Sequence, residues 1–328
     1  MRLPPSVRIL AAIGLGVLCA RTADAQQRPL TIEDPEVIGA GRVLVEAGVE
    51  SGQNARYFLS GLEGDRVAMP VGVSVGLGNI AELQLDAGYT WFGIDSRTDA
   101  PLAYRVPADA TRTSDVIDLT VATKIHVCGE GTHRPAFAVR FATRLPNASN
   151  ESGLGLDTTD FSFSILGGKT FGPWRLTGNA GLGILSNPLI ATIQDDAFVG
   201  GVALARALTK QWDVVGEVTT QKVWFADVPP VGAEPLGEVR IAARYRRGRA
   251  RFDAGLLAGE RAQADRQARR HSLPTPWTHW LANWIMSASA DPRLTPPSGA
   301  GVTGWLPGTA HGPPCPAGLK SGTKGGRY

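Results

Sequence analysis

The chain has 328 residues, 43% hydrophobic and only 19% charged, with 40 glycines. That is long enough for one large all-β domain, and it holds no apolar run of about 18 residues that would make a spanning helix. Of the formal charge of +3, the first 25 residues contribute +2 and the segment after Ala258 contributes +5, leaving −4 for residues 26–258, so the body has no electrostatic footprint for nucleic acid.

The start reads as a secretory signal peptide, residues 1–25. Arg2 and Arg8 form a basic n-region, Ile9 to Ala20 an apolar h-region, and Ala23-Asp24-Ala25 an A-x-A cleavage site, so the mature chain is expected to begin near Gln26. Without the leader only Cys128 and Cys315 remain, too far apart in sequence to read as a disulfide framework.

After a short lead from Gln26 to Ala40, alternation at period two recurs along residues 26–258. Val43, Val45, Ala47 and Val49 alternate with Leu44, Glu46, Gly48 and Glu50. Val67 to Val75 repeats the pattern with Ala68, Gly72, Ser74 and Gly76 on the other face. The third segment is the clearest, with Leu83, Leu85, Ala87, Tyr89 and Trp91 on one face and Glu82, Gln84, Asp86, Gly88 and Thr90 on the other. Successive strand side chains point to opposite faces, so each such segment has one apolar and one polar surface. The fourth sets Ile117, Leu119, Val121, Ile125 and Val127 against Asp118, Thr120, Lys124 and His126. The fifth and sixth set Phe137, Val139 and Phe141 against Arg140 and Arg144, and Phe161, Phe163 and Ile165 against Asp160, Ser162 and Ser164. In the seventh, Trp174, Leu176, Ala180, Leu182 and Ile184 oppose Arg175, Thr177 and Asn179, while the eighth, Phe198 to Leu208, is Gly- and Ala-rich with ambiguous facing. The last three oppose Trp212, Val214 and Val218 to Asp213, Glu217 and Gln221; Val239, Ile241, Ala243 and Tyr245 to Glu238, Arg240 and Arg244; and Phe252, Ala254 and Leu256 to Arg251 and Asp253.

A soluble sandwich with the apolar faces inward and a membrane barrel with them outward share this pattern. The connections separate the two. Long ones are expected near 51–65, 93–114, 146–158, 186–195 and 225–235, with short ones between them at 77–79, 128–135, 171–173, 209–210 and 246–249. Short turns at one rim and long loops at the other are the habit of outer-membrane barrels. Tyr89, Trp91, Trp174, Trp212, Trp224 and Tyr245 sit at strand ends with apolar-face parity, as interfacial girdles do. The expectation is therefore all-β, an antiparallel up-and-down transmembrane β-barrel of about twelve strands.

Only eleven segments alternate, and an even number is needed to bring both termini to one side. From residue 259 to 328 the chain turns basic and Pro/Gly-rich, with Pro274, Pro276, Pro292, Pro296 and Pro297 among its breakers. The final strand thus reads as missing or replaced. A frameshift at about codon 258 accounts for the abrupt change; the alternative is an external extension after an eleventh strand.

Several motifs carry no chemistry. Gly72-Val-Ser-Val-Gly76 matches a hydrolase elbow but lies in a strand with no helix after it. His126, Cys128 and His133 lack a fourth ligand for structural zinc. Ser321-Gly-Thr-Lys324 and Asn147-Ala-Ser149 have pattern but no context. What remains is an inward charge set: Glu46, Glu82, Asp86, Asp118, Lys124, Arg140, Arg144, Arg175, Glu217, Glu238, Arg240, Arg244 and Arg251. These residues either filter solutes by charge or form cross-strand ion pairs that plug a narrow barrel.

Arg28 to Gly48, Gly78 to Gly88, Asp157 to Phe161 and Gly178 to Gly183 are similar to segments of a family of outer-membrane transporter barrels related to the group named for the meta-pathway of phenol degradation (MetA-pathway). The resemblance covers about residues 28–258. It implies a porin-like transporter for passive uptake of small molecules, aromatic or hydrophobic ones among them. The chain is therefore expected to be a non-enzymatic outer-membrane channel of a Gram-negative bacterium, without cofactor. Its expected partners are outer-membrane lipids, a small-molecule solute and the barrel-assembly machinery, with no nucleic acid. A non-conducting barrel or periplasmic binding protein is the alternative.

Overall fold

The computed structural model describes residues 30–190, 192–223, 236–248, 250–261 and 278–282; the expected leader and most of the expected tail lie outside them. Apart from a three-residue 3-10 turn at Ala103–Arg105, the described elements are strands. They are β1 (Val43–Ala47), β2 (Val49–Tyr57), β3 (Leu62–Gly76), β4 (Ala81–Arg97), β5 (Arg112–Cys128), β6 (Ala136–Leu145) and β7 (Asp160–Phe171). Then follow β8 (Trp174–Ser186), β9 (Gln194–Ala207), β10 (Trp212–Val223), β11 (Leu236–Arg247), β12 (Ala250–Arg261) and β13 (Thr278–Ala282).

Each strand from β2 to β12 pairs antiparallel with its neighbour in sequence, and β13 pairs with both β12 and β2. The sheet closes on itself, which leaves no open edge along the pairings made. β1 and β2 form one strand interrupted only at Gly48. Val43↔Val75 and Gly52↔Arg66 belong to one unshifted register with β3, and the Gly48 N–H donates to the Pro70 carbonyl at 3.0 Å. The ring is thus twelve strands wide.

The barrel is polar inside and apolar outside. Ile165, Val218 and Ile241 are 52%, 53% and 55% exposed, and exposed large hydrophobics occur on every strand from β3 to β12. On the opposite parity Glu82, Glu217 and Arg251 are 1%, 2% and 1% exposed. No second sheet or helix covers the apolar belt among the described residues, whereas a soluble monomer rarely exposes such an area. The ambiguous eighth segment, β9, resolves the same way: Val202 and Leu204 face out, while Ala197 and Ala203 are buried within.

Two expectations change. The stretch 51–65, expected to be a long loop, is largely strand, because β2 and β3 extend as a hairpin joined at 58–61. Gly61 (φ +70°) makes that turn; a Cβ there would lie 2.1 Å from the Thr98 carbonyl oxygen. The twelfth strand also exists, as the five residues of β13 inside a tail expected to be irregular, and β12 itself runs on to Arg261. Alternation was lost there because Leu257, on the inner parity, is itself apolar and buried, so Leu256 and Leu257 read as a run.

The remaining intervals alternate between rims as the sequence pattern predicts. Among the described residues the short-turn rim carries 77–80, 129–135, 172–173, 208–211 and Gly248, and the long-loop rim carries 98–111, 146–159 and the turn after Ser186; the expected connection at 225–235 lies outside them.

Candidate functional site: the occupied lumen

Segment 30–38, expected to be only a short lead, runs through the barrel interior. The chain enters at the short-turn rim, where Gly39 and Gly41 take positive φ (84° and 68°) and the Gly41 N–H donates to the Gly76 carbonyl at 3.0 Å. A Cβ on Gly76 would lie 1.7 Å from the Gly39 carbonyl oxygen, so the approach of segment to wall requires glycine there.

From that rim inward the contacts are mainly polar. The Ile38 N–H donates to Glu82 at 2.9 Å, and the Pro35 carbonyl lies 3.0 Å from His126 Nδ1, which must carry the proton in that bond. Arg175 holds the Asp34 carboxylate through Nε and a terminal nitrogen, both at 2.7 Å. Such a bidentate, charge-assisted pair is among the stronger polar contacts a protein makes. Lys124 Nζ donates to the Asp34 carbonyl at 3.0 Å and sits 2.9 Å from Glu82 and 3.5 Å from Glu33. Gln84 donates to Glu33 at 3.1 Å, and Arg140 lies 3.5 Å from it. The Asn179 amide, with its oxygen toward the Glu33 N–H, clasps the Glu33 backbone at 2.7 and 2.9 Å. Deeper in, the Glu217 carboxylate accepts the N–H groups of Thr31 (2.9 and 3.0 Å) and Ile32 (3.0 Å). Its presence there satisfies two backbone donors that would otherwise be buried unpaired.

The acidic triplet Glu33, Asp34 and Glu36 thus meets a basic wall of Lys124, Arg140 and Arg175. Burial pushes the Glu36 carboxyl up from the ordinary carboxylate value, against the pull of His126 and Arg175 and with the help of Asp34 and Glu130. At the rim, burial would also raise Glu130, but the N–H and hydroxyl of Thr170, with Lys169 and Arg175, hold it below the ordinary value.

The other expected lumen residues lie on the inner wall in pairs. Arg140 reaches Gln84 at 2.7 Å and Asp86 at 3.9 Å. Arg144 bridges Asp118 and Asp160, and Asp118 also accepts the N–H groups of Asn147 and Ala148. Arg240 joins Glu217 at 3.3 Å and Glu238 at 2.6 Å. Arg244 forms two bonds to Asp253 at 2.9 and 3.1 Å, and Arg251 joins Asp253 at 3.2 Å and Glu46 at 3.6 Å. Acidic and basic groups interleave rather than form separate walls. Sequence reasoning missed Glu33, Asp34 and Glu36; the signal was an acidic triplet set between apolar Ile32 and Val37 just ahead of the first strand.

Toward the long-loop rim the inner face becomes apolar. Leu62, Phe92 and Val106 are buried together with Tyr57, Ile94 and Leu154 against them, and Tyr57 meets Phe92 edge-on at 5.1 Å. Loops 98–111 and 146–159 are pinned over this cluster by Arg97, which donates to the Pro107 and Ala110 carbonyls at 2.9 and 2.8 Å, and by Ser60 Oγ on the Gly153 carbonyl at 2.6 Å.

Cys128, buried at the end of β5, is disulfide-bonded, which the sequence reading did not expect; the other two cysteines, Cys19 and Cys315, lie outside the described residues.

No family model and no curated protein matches the chain. Among solved structures it is similar to the "COG4313 outer membrane channel from Pseudomonas putida F1", with a TM-score of 0.52 and 10% identity, over 78% of this chain and 98% of that one. At that identity the likeness is one of fold.

Proposed function

We propose that the protein is an outer-membrane channel for small molecules, closed at rest by its own N-terminal segment. The observation that carries this is the occupied lumen: a lipid-compatible exterior around a charged interior in which segment 30–38 is held by Arg175, Lys124, Glu82 and Glu217. A sealed structural barrel needs no separately tethered strand inside it. The solved neighbour is itself described as an outer membrane channel, which supports the same kind of role. The apolar cluster of Leu62, Phe92 and Val106 beneath the long-loop rim favours small hydrophobic or aromatic solutes over sugars or ions, since a path opened by movement of the loops over it would be lined by apolar side chains. On this reading residues 1–25 are removed on export, the assembly machinery inserts the barrel, and the short-turn rim faces the periplasm.

The alternative is a non-conducting barrel, favoured by the dense ion pairing of the inner wall. Planar-bilayer recording separates the two. The chain lacking residues 30–38 is expected to conduct several-fold more current than the full chain. Equal currents would dismiss the plug, and no current from either would dismiss the channel.

A further inference from the structure

Over one sector of the outer wall, apolar side chains give way to cations at the short-turn rim. Leu176 of β8, Leu204 of β9 and Val214 of β10 are exposed on the outer face. Arg206, two residues on from Leu204, keeps that parity and is the register partner of Trp174 and Val214, both exposed. Its guanidinium carbon lies 5.0 Å from the centroid of the Trp174 ring. Arg247 is the last residue of β11 and shares the parity of Val239 and Ile241, which are also exposed. The Arg246 N–H donates to the Gln211 carbonyl at 2.8 Å, so Lys210, in the turn ahead of β10, comes to a place adjoining Arg247.

Arg206, Lys210 and Arg247 are exposed, and among the described residues none of the three is paired with a carboxylate. Asp213 and Asp253, the acids that follow them in sequence, are buried on the inner face, where Arg246 and Arg244 hold them at 2.8 and 2.9 Å. Like charges side by side on a strand pair destabilise it, and a bound anion offsets that cost. Trp212 and Tyr245 are register partners two places further into the same ladder, with ring centroids 4.8 Å apart. Amphipathic rings at strand ends sit at the headgroup level of a membrane, so the three cations lie at the depth of the lipid phosphates.

We propose that this sector binds an anionic glycerophospholipid, with its phosphate on the three cations and its acyl chains along Leu176, Leu204 and Val214. Arg206 offers a planar fork that matches a phosphate through two parallel bonds, and contact with the Trp174 ring orients it beforehand. Lys210 and Arg247 add charge without a counter-ion of their own. A zwitterionic headgroup brings its own cation to such a place and gains little, whereas a headgroup of net negative charge gains from all three. The proposal rests on the membrane-barrel reading, with the short-turn rim in the phospholipid leaflet that faces the periplasm.

The test uses full-length protein, delipidated in detergent and titrated with dioleoylphosphatidylglycerol or dioleoylphosphatidylcholine, with bound lipid counted by native mass spectrometry. One cation near an anionic lipid surface is worth about a factor of five, so the parent is expected to prefer phosphatidylglycerol at least tenfold. Arg206→Gln with Lys210→Gln and Arg247→Gln should bring the two lipids to within about twofold. If that chain loses its heat-modifiable mobility, Lys210→Gln with Arg247→Gln alone should still cut the preference about fivefold or more. Arg112→Gln, which removes an exposed cation where β5 begins at the long-loop rim, should leave it unchanged. Equal binding of both lipids by the parent, a preference that survives the triple change, or an equal loss from Arg112→Gln would each overturn the proposal. Lipid counting does not depend on an open pore, so its failure is distinct from a failure to conduct.

Discussion

Replacing Asp34 by Asn removes the charge on which the lumen segment is anchored while keeping the side chain's shape. Asp34 is 1% exposed and receives two bonds of 2.7 Å from Arg175 and one of 3.0 Å from its own Glu36 N–H. Removing one partner of a fully buried ion pair costs about 3–5 kcal/mol. Here the Arg175 side chain keeps 24% exposure and a second acceptor, Glu130 at 3.3 Å, so about 2–3 kcal/mol is the fitting figure. At about 1.4 kcal/mol per factor of ten, the undocked population should rise about 30- to 140-fold. The assay is maleimide labelling of a cysteine placed at Ile32, which is buried beside Glu217 and reacts only when the segment is out. The Cys128 sulfur is already in a disulfide and stays silent. Arg56→Gln, which breaks the ion pair to Glu63 on the far hairpin, serves as the control and should leave the rate unchanged. An Asp34→Asn rate within about threefold of the parent, equivalent to under 0.7 kcal/mol, would refute the anchoring argument.

Glu217→Gln leaves two backbone N–H groups sharing one amide oxygen and weakens the hold on Arg240; a loss of about 1–2 kcal/mol should raise basal current about five- to thirtyfold in planar bilayers, and an unchanged current would count against its role. Ile241→Arg puts a charge on the outer belt, where about 2–4 kcal/mol is lost near mid-membrane, so the heat-modifiable form should fall sharply; full assembly would contradict a lipid-facing position. Because the docked state raises the Glu36 carboxyl, it holds more protons than the undocked state from 4.5 up to the raised value; docking is therefore strongest at the acid end and weakens as pH rises through that window. Glu36→Gln should abolish that slope in bilayer current while the neighbouring His126, Asp34, Arg175 and Glu130 stay in place, and a slope that survives would assign it to one of them.

The barrel was legible because its pattern is the inverse of a soluble core and repeats strand after strand. Leu85, Tyr89 and Trp91 point outward and Glu82, Gln84 and Thr90 inward, as period two requires. Facing failed to be read only where side chains were small, as between Phe198 and Leu208, since glycine and alanine suit either surface. The inward charges were legible as positions but not as pairs. Parity places Arg240 and Glu217 on one face, yet only register brings them opposite one another. The plug was illegible for a different reason. Segment 30–38 makes no ladder, so it has no period; its structure comes from contacts with residues 44 to 186 positions away, which no local pattern encodes. The closing strand was missed because an apolar inner residue, Leu257, ended the alternation before it.

The hairpin-like reversal at Gly39 and Gly41 joins the lumen segment to the first strand with almost no slack. On the proposed channel reading, a stopper on so short a leash cannot diffuse off. It returns by intramolecular collision, at an effective concentration of millimolar or above, whatever the density of the protein in its membrane. Open intervals should therefore be brief and independent of copy number, and passage should be metered by how often the segment lets go rather than by how wide the barrel is.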